Sequence, residues 1–375
     1  MDTLLGDAAE RLFAHTCTPA LLRAAEQGHS IAAAWQACED AGFADALVPE
    51  AQGGAGLDLA DALPVVWAAG RHLCPYPIAH TVLARAWLAR ARHPVPKGSI
   101  AIAAQGLAMQ QDRITGVNVP WVRVADHVLA QVDGHVLLLP VAAGCIAPNG
   151  VHGSLDGEAS WSLRTAVRVD GEASVAPRTA VRVDGEASVA PRTAVRRTGE
   201  ASEALLVAHR EHGGTALEEL AAIAYAGLMA GAMDRVLAMT LDYANQRTQF
   251  GKAIGRFQAV QQQISVMAEH VWAARMAAQL AFQGRGGQPQ ALMAAVGKAR
   301  TSQAAPLVAD IAHAVHGAIG ITAEFNLQCY TRRLRDWRLA GGSESYWHAR
   351  IGAAALNSHR DALTYLRTEL QGAAA

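Results

Sequence analysis

Between Phe257 and Phe282 the apolar residues Phe257, Val260, Ile264, Met267, Val271, Ala274 and Ala278 recur at alternating intervals of three and four. On an α-helix of about 3.6 residues per turn these positions form one continuous stripe. A stripe of this length has to be covered, and antiparallel helices joined by short breaks cover it most simply. Glycine-bearing breaks fall at 251–255, 284–289 and 317–320. From Thr215 onward the chain therefore reads as a helical bundle.

The segment from Asp7 to about Arg92 is alanine-rich and helical in pattern, as in Ser30–Ala41 and Asp58–Gly70. Between those two runs, residues 47–56 break the helix ahead of a new start near Asp58. From Ser99 to about Val207 the texture changes. Runs at Ile100–Ala104, Trp121–Val124, His127–Val132, His135–Leu139 and Leu205–Ala208 are bounded by turn formers such as Asp133–Gly134. They predict antiparallel strands. The expected fold class is mainly α with a small antiparallel β domain. The parts would be an N-terminal helical domain over 1–98, a β domain over 99–210 and a C-terminal helical bundle over 211–375.

One stretch is repetitive. Residues 164–177 recur unchanged as 178–191, an altered copy starts at Arg192, and the tandem region runs over 164–201. A period of 14 is shorter than the usual solenoid unit of about 20–50 residues. A tandem duplication in a tolerant surface segment explains it more simply than a binding strip built of repeats.

Composition removes several classes of function. The 32 Lys+Arg nearly balance 33 Asp+Glu, so no electrostatic footprint for nucleic acid or an anionic membrane exists. Cys17, Cys38, Cys74, Cys145 and Cys329 form no CxxC pair and are odd in number, which speaks against a disulfide framework and against structural zinc. The first seven residues lack the pattern of a signal peptide. The uncharged apolar stretches Ala221–Met233 and Val136–Pro148 are too short to span a bilayer. A reduced cytoplasmic protein with no metal is the expectation.

Three clusters could carry chemistry. Arg247–Gln258 gathers arginine, amide and aromatic side chains with two glycines, a set that can meet a phosphate or a flat heterocycle. An interhelical loop with an arginine on its rim would look the same. His313 and His316 stand at helical spacing before a glycine-rich loop. Without further ligands they read as a helix C-terminus, whose loop can still bring backbone close to a phosphate. Arg332, Arg335 and Arg338 share one helical face, by default a solvated or interface one.

These residues converge on one family. Arg247–Gln258, RTQFGKAIGRFQ, resembles the R-x-x-F-G-x-x-I-x-x-F-Q signature of the FAD-dependent acyl-CoA dehydrogenases. His316–Glu324, HGAIGITAE, resembles their H-G-G-x-G-x-T-x-E, and Val48–Leu57, VPEAQGGAGL, resembles their P-E-x-x-G-G-x-G turn. The three stand in the family's order and cover most of the chain, weakly in the β domain.

The resemblance implies α,β-desaturation of an acyl-CoA thioester, with FAD as hydride acceptor and a carboxylate as base. It implies that Arg247, Gln249, Phe250 and Gln258 reach across a dimer interface to the ADP half of a neighbour's FAD. Gly317 and Gly320 would let backbone approach the same cofactor, and Ser343 keeps the hydroxyl of the family's E-G-T segment. It also implies an oligomer, a dimer of dimers. Some bacterial members acting on bulky acyl-CoA substrates, such as steroid side chains, are heteromers in which one subunit lacks the base.

The departures point that way. Counting seventeen residues on from Glu324 places the family's base at Gly341, and counting twenty-six back from Arg247 places its second known location at Ala221. Neither carries a carboxylate. Glu218 and Glu344 could stand in only from about 5 Å away, one helical turn. Ala314 and Ala318 replace a usual glutamine and glycine, and the β domain lacks the family's T-E-P-x-x-G-S-D stretch. The alternative reading is thus a non-catalytic subunit that completes a FAD site for a base-bearing partner.

Overall fold

A computed structural model describes residues 4–162, 166–167, 204–209, 217–285 and 287–372. The N-terminal helices are α1 (Leu4–Thr16), α2 (Pro19–Glu26), α3 (Ala32–Asp40), α4 (Leu59–Arg71) and α5 (Ile78–Arg90). Asp58 and Asp61 form a reciprocal capping box that starts α4 where the sequence pattern restarts.

The strands are β1 (Ile100–Ala103), β2 (Leu107–Gln110), β3 (Arg113–Val119), β4 (His127–Val132), β5 (His135–Pro140), β6 (Cys145–Pro148), β7 (Gly157–Ser162), β8 (Ala166–Val167) and β9 (Ala204–His209). They form a five-stranded sheet, β1-β4-β5-β9-β8, and a four-stranded one, β2-β3-β7-β6. Most pairings are antiparallel; β1–β4 and β8–β9 run parallel. Asp133–Gly134 joins β4 to β5 with both residues at positive φ, the turn that matches strand twist. Apart from Ala166–Val167, the tandem repeats lie outside the described residues.

One expected strand is absent. Trp121–Val124 forms a turn in which the N–H groups of Val124 and Ala125 both donate to the Trp121 carbonyl, at 3.0 and 2.9 Å. Val122 is buried and Val124 partly buried by tertiary packing, which overrides their strand propensity. Conversely, β3 and β7 escape the sequence reading because glycine, asparagine and charged residues dilute their apolar runs, and β2 and β6 because they are only four residues long.

The C-terminal part holds α6 (Leu217–Gln246), a short hairpin β10 (Thr248–Gln249) and β11 (Lys252–Ala253), α7 (Gln258–Ala281), a second hairpin β12 (Gly284–Arg285) and β13 (Gln288–Pro289), α8 (Ala291–His316), α9 (Leu327–Leu339), α10 (Glu344–Asn357) and α11 (Ala362–Gly372). Helix α6 is central: α4, α5, α7, α8 and α9 all pack on it. Glycines let α4 and α6 touch backbone to backbone. A Cβ at Gly70 would sit 2.1 Å from the Leu228 carbonyl oxygen, and one at Gly231 2.1 Å from that of Trp67. By length and composition, α6 and residues 291–321 could each cross a membrane, yet 89% of the α6 window and 44% of the second are buried inside the fold.

Candidate functional site

Helix α9 ends in the corner Ala340–Ser343, where Gly341 and Gly342 take φ of +65° and +94°. Ser343 caps α10, its hydroxyl oxygen accepting from the Tyr346 N–H at 3.3 Å. Beneath the corner lies Lys298 of α8, wholly buried. Its ammonium donates to Ser302 Oγ at 2.7 Å, the Gly342 carbonyl at 2.8 Å and the Arg338 carbonyl at 3.0 Å. Three donors meet three acceptors, so the group is satisfied without a directly bonded carboxylate. Burial lowers the Lys298 pKa to about 7, with Glu344 opposing. The Gly341 carbonyl accepts from the Trp347 indole at 2.9 Å.

The structure brings together Gly341 and Ala221, the two positions to which the sequence count assigns a base. A Cβ on Gly341 would lie 3.5 Å from the backbone carbonyl of Ala221 and 3.0 Å from Cδ2 of Tyr225. Behind them runs a chain of buried rings. Tyr225 meets His80 edge-on at 4.8 Å, His80 meets Trp121 at 6.1 Å, and Trp121 lies 6.3 Å from Trp337. All four side chains are buried. His80 Nδ1 accepts from the Ile102 N–H at 3.1 Å, Nε2 has no partner among the described residues, and burial lowers the pKa to about 3. Trp121 sits at a φ of +54°, uncommon outside glycine, braced by its N–H donating to Asp156 Oδ1 at 2.8 Å. Burial raises the Asp156 carboxyl to about 6, against that N–H and the Arg333 charge.

The two carboxylates nearest the corner, Glu218 and Glu344, are both engaged by other side chains. Glu218 accepts from Gln105 Nε2 and the Tyr346 hydroxyl, both at 3.0 Å, and pairs with Arg350. Burial pushes its pKa up, but these bonds and the Arg350 charge outweigh burial and leave it below the ordinary value. Glu344 accepts from Arg338 Nε at 3.1 and 3.0 Å, and this pairing also lowers its pKa. A depressed pKa makes a carboxylate a weaker base. Both carboxylates considered as stand-ins are members of ion pairs, Glu218 with Arg350 and Glu344 with Arg338.

A second constellation lies at the other end of α6. The hairpin β10–β11 carries Phe250 at its tip, 91% exposed, with Arg247 and Gln249 exposed beside it. Gln258 opens α7, and Phe250 meets Phe257 edge-on at 6.2 Å. The hairpin is tied to the glycine-rich turn 317–321. Tyr243, whose carbonyl accepts the Arg247 N–H at 2.8 Å, stacks on His316 at 4.4 Å. Gly317 holds φ +62° and ψ −145°, a conformation essentially reserved to glycine, and a Cβ there would meet nothing within 4 Å. Gly320 differs: a Cβ there would press on His316 and Leu327 at 3.1 Å, so its smallness serves packing.

The histidines and arginines find their own partners. His313 Nε2 bonds Thr331 Oγ1 at 2.9 Å and His316 Nδ1 bonds the Ala312 carbonyl at 2.8 Å. Among the described residues no group of three or more His, Cys, Asp or Glu could hold a metal. Arg332 pairs with Glu26, Arg335 with Asp310 and Arg338 with Glu344. Sequence reasoning missed Lys298, Tyr225, Trp121 and His80. Only Lys298 left a signal, a lone charge on a helix face otherwise built of alanine and small hydroxyl residues.

The second constellation carries groups that fit a FAD-type cofactor. The hairpin offers an exposed cation, an amide and an aromatic ring, and the turn offers open backbone at Gly317. At the glycine corner, rings already occupy the space beside Gly341.

Comparison with known proteins gives concordant findings. Residues 2–91 match the acyl-CoA dehydrogenase N-terminal domain and residues 218–356 the acyl-CoA dehydrogenase C-terminal domain. Acyl-CoA dehydrogenase IpdE2 of Mycobacterium tuberculosis is 28% identical over 333 residues, covering 88% of this chain and 89% of that protein. The ChsE4-ChsE5 complex of Mycobacterium tuberculosis superposes with a TM-score of 0.74 at 21% identity, over 96% of this chain and 99% of the other. Butyryl-CoA dehydrogenase of Megasphaera elsdenii gives 0.68 at 17% identity, over 95% and 100%.

Proposed function

The chain belongs to the acyl-CoA dehydrogenase family, and from that premise we propose that it serves α,β-desaturation of an acyl-CoA as the subunit that does not supply the base. The cofactor is FAD, which when bound takes the β hydrogen as hydride. A carboxylate has to remove the α proton while the thioester carbonyl is polarised. The observation that carries the reading is the closure of Gly341 against Ala221 and Tyr225. No carboxylate stands at either position, and a side chain on Gly341 would have to press on the Tyr225 ring.

In this reading Arg247, Gln249, Phe250 and Gln258 serve the ADP half of a FAD held mainly by a neighbouring subunit, with Gly317 giving backbone access. Gly320 keeps the turn compact, and the Ser343 hydroxyl, whose oxygen caps α10, retains its O–H as a donor. Two solved relatives are of this composite kind in name, the ChsE4-ChsE5 complex and the Tcur3481-Tcur3483 steroid ACAD. They support an assembly of two different family members acting on a bulky, steroid-like acyl-CoA. All five cysteines are free thiols, which supports a cytoplasmic setting. The proposed domain divisions, 1–98, 99–210 and 211–375, place the hairpin and the glycine turn in the bundle.

The test is to purify the chain alone and together with a base-bearing family member, then measure FAD per protomer and acyl-CoA oxidation with an artificial acceptor. Oxidation by the pair and not by the chain alone is expected. Robust FAD-dependent oxidation by the chain alone would overturn the proposal.

A further inference from the structure

Far from the glycine corner, Cys17 follows the last turn of α1 and Cys74 follows α4, and their sulfurs stand 3.0 Å apart. Both are free thiols. Their backbones are fixed: the Cys17 N–H donates to the Phe13 carbonyl at 2.8 Å and the Cys74 N–H to the Ala69 carbonyl at 2.9 Å. The Tyr76 hydroxyl lies 3.3 Å from Cys17 Sγ, and its ring is wedged edge-on between Phe13 and Trp35. Nothing in the proposed desaturation uses this cluster.

The two sulfurs are not equivalent. A cavity of about 270 Å³ is lined by Cys17, His72, Leu73, Arg235, Cys329 and Tyr330 among others, and Cys74 is not part of its wall. A small molecule entering it meets Cys17 first, with Cys74 directly behind. The electrostatics run the same way. Hydrogen bonding from Cys74 holds the Cys17 thiol below its ordinary value against the opposing effect of burial, while burial raises Cys74. The thiol on the cavity is thus the better thiolate former, the property that governs reactivity.

We propose that Cys17 and Cys74 form a dithiol oxidised by peroxides, with Cys17 as the attacking sulfur and Cys74 as the resolving one. The Cys17 thiolate attacks the O–O bond of hydrogen peroxide. Its sulfur becomes a sulfenic acid, and the second oxygen leaves as hydroxide, which takes up a proton to become water. The Cys74 sulfur then attacks the sulfenic sulfur. The S–S bond forms, the S–O bond breaks, and the hydroxyl leaves as water with the Cys74 proton. Overall the two thiols lose two electrons and two protons, and one peroxide becomes two waters. The product fastens the α1–α2 corner to the end of α4.

The experiment treats the native full-length chain with hydrogen peroxide, blocks residual thiols, and maps tryptic peptides by mass spectrometry without reduction. Expected is one intramolecular peptide pair joining Cys17 to Cys74, lighter by two hydrogens, reversed by dithiothreitol and accompanied by a higher Tm. In Cys74→Ser, Cys17 should stop as a sulfenic acid trapped by dimedone. In Cys17→Ser, Cys74 should stay reduced. Because the unmutated chain decides the linkage, the test survives a variant that fails to fold. Oxidation confined to exposed Cys145, or bridges through Cys38, Cys329 or a second chain, would overturn the assignment.

Discussion

Gly341 and Ala221, one on the α9–α10 corner and one on α6, meet with 3.5 Å between a Cβ on the first and the backbone carbonyl of the second. The two positions to which the sequence count assigns a base thus face each other across a contact with no carboxylate in it. Restoring one is not a matter of a single codon. At φ +65° a side chain is strained, by about 1–2 kcal/mol, and its Cβ would press on the Tyr225 ring. Gly341→Glu should lower Tm and leave the chain alone without dehydrogenase activity. Substantial acyl-CoA oxidation by that variant would show that the site retains room and register.

Glu218 and Glu344 are expected to be replaceable in the assembled enzyme. Each is held in an ion pair with its pKa lowered, Glu218 at a partly exposed site where such pairs contribute about 0–1 kcal/mol. Glu218→Gln and Glu344→Gln should shift kcat less than about tenfold and Tm by a few degrees. A fall of about 10²–10⁴-fold in kcat, the usual effect of removing a general base, would identify the mutated residue as that base.

Arg247 should govern cofactor retention and leave the fold alone, since its side chain projects from an exposed hairpin. A charge-assisted bond to phosphate contributes about 1.5–3 kcal/mol. Arg247→Ala should therefore weaken FAD binding by the assembly about 10- to 100-fold, with an unchanged melting curve in the absence of FAD. Unchanged FAD content across a dilution series, or outright unfolding, would contradict the role.

Lys298 predicts a pH-dependent stability. Its folded pKa of about 7 lies below the ordinary lysine value of 10.5 that holds in the unfolded chain, so between those values the unfolded chain binds the extra proton. Stability must then rise with pH, by up to about 1.4 kcal/mol per unit, and fall as pH drops towards 7. Relative to Lys298→Met, the wild type should gain stability from pH 7 to pH 9 in denaturant titrations. Parallel pH profiles would refute the shift. The variant should also be less stable at every pH, because the Arg338 and Gly342 carbonyls lose a donor.

The order of helical, strand-bearing and helical regions was legible because periodicity is a local property. The three and four spacing of Phe257 to Ala278 dictates a striped helix whatever covers it. The glycine-rich breaks likewise mark where α6, α7 and α8 separate, and the three ordered motifs carried the family. Trp121–Val124 shows the limit. Its composition reads as a strand, while the buried Asp156 carboxylate, 35 positions away, caps the Trp121 N–H of a turn.

What tertiary structure alone decided is which distant residues share a site. The partners of Glu218 come from Gln105 and Tyr346, 113 and 128 positions away in the chain. Sequence shows two candidate bases; only packing shows both neutralised in ion pairs. The sequence count puts glycine where a glutamate is expected, at Gly341; only packing shows Ala221 and Tyr225 beside it. Local propensity follows from neighbours along the chain and can be read from them. A contact between α6 and the α9–α10 corner follows instead from how whole helices bury their faces, and no single segment contains that information.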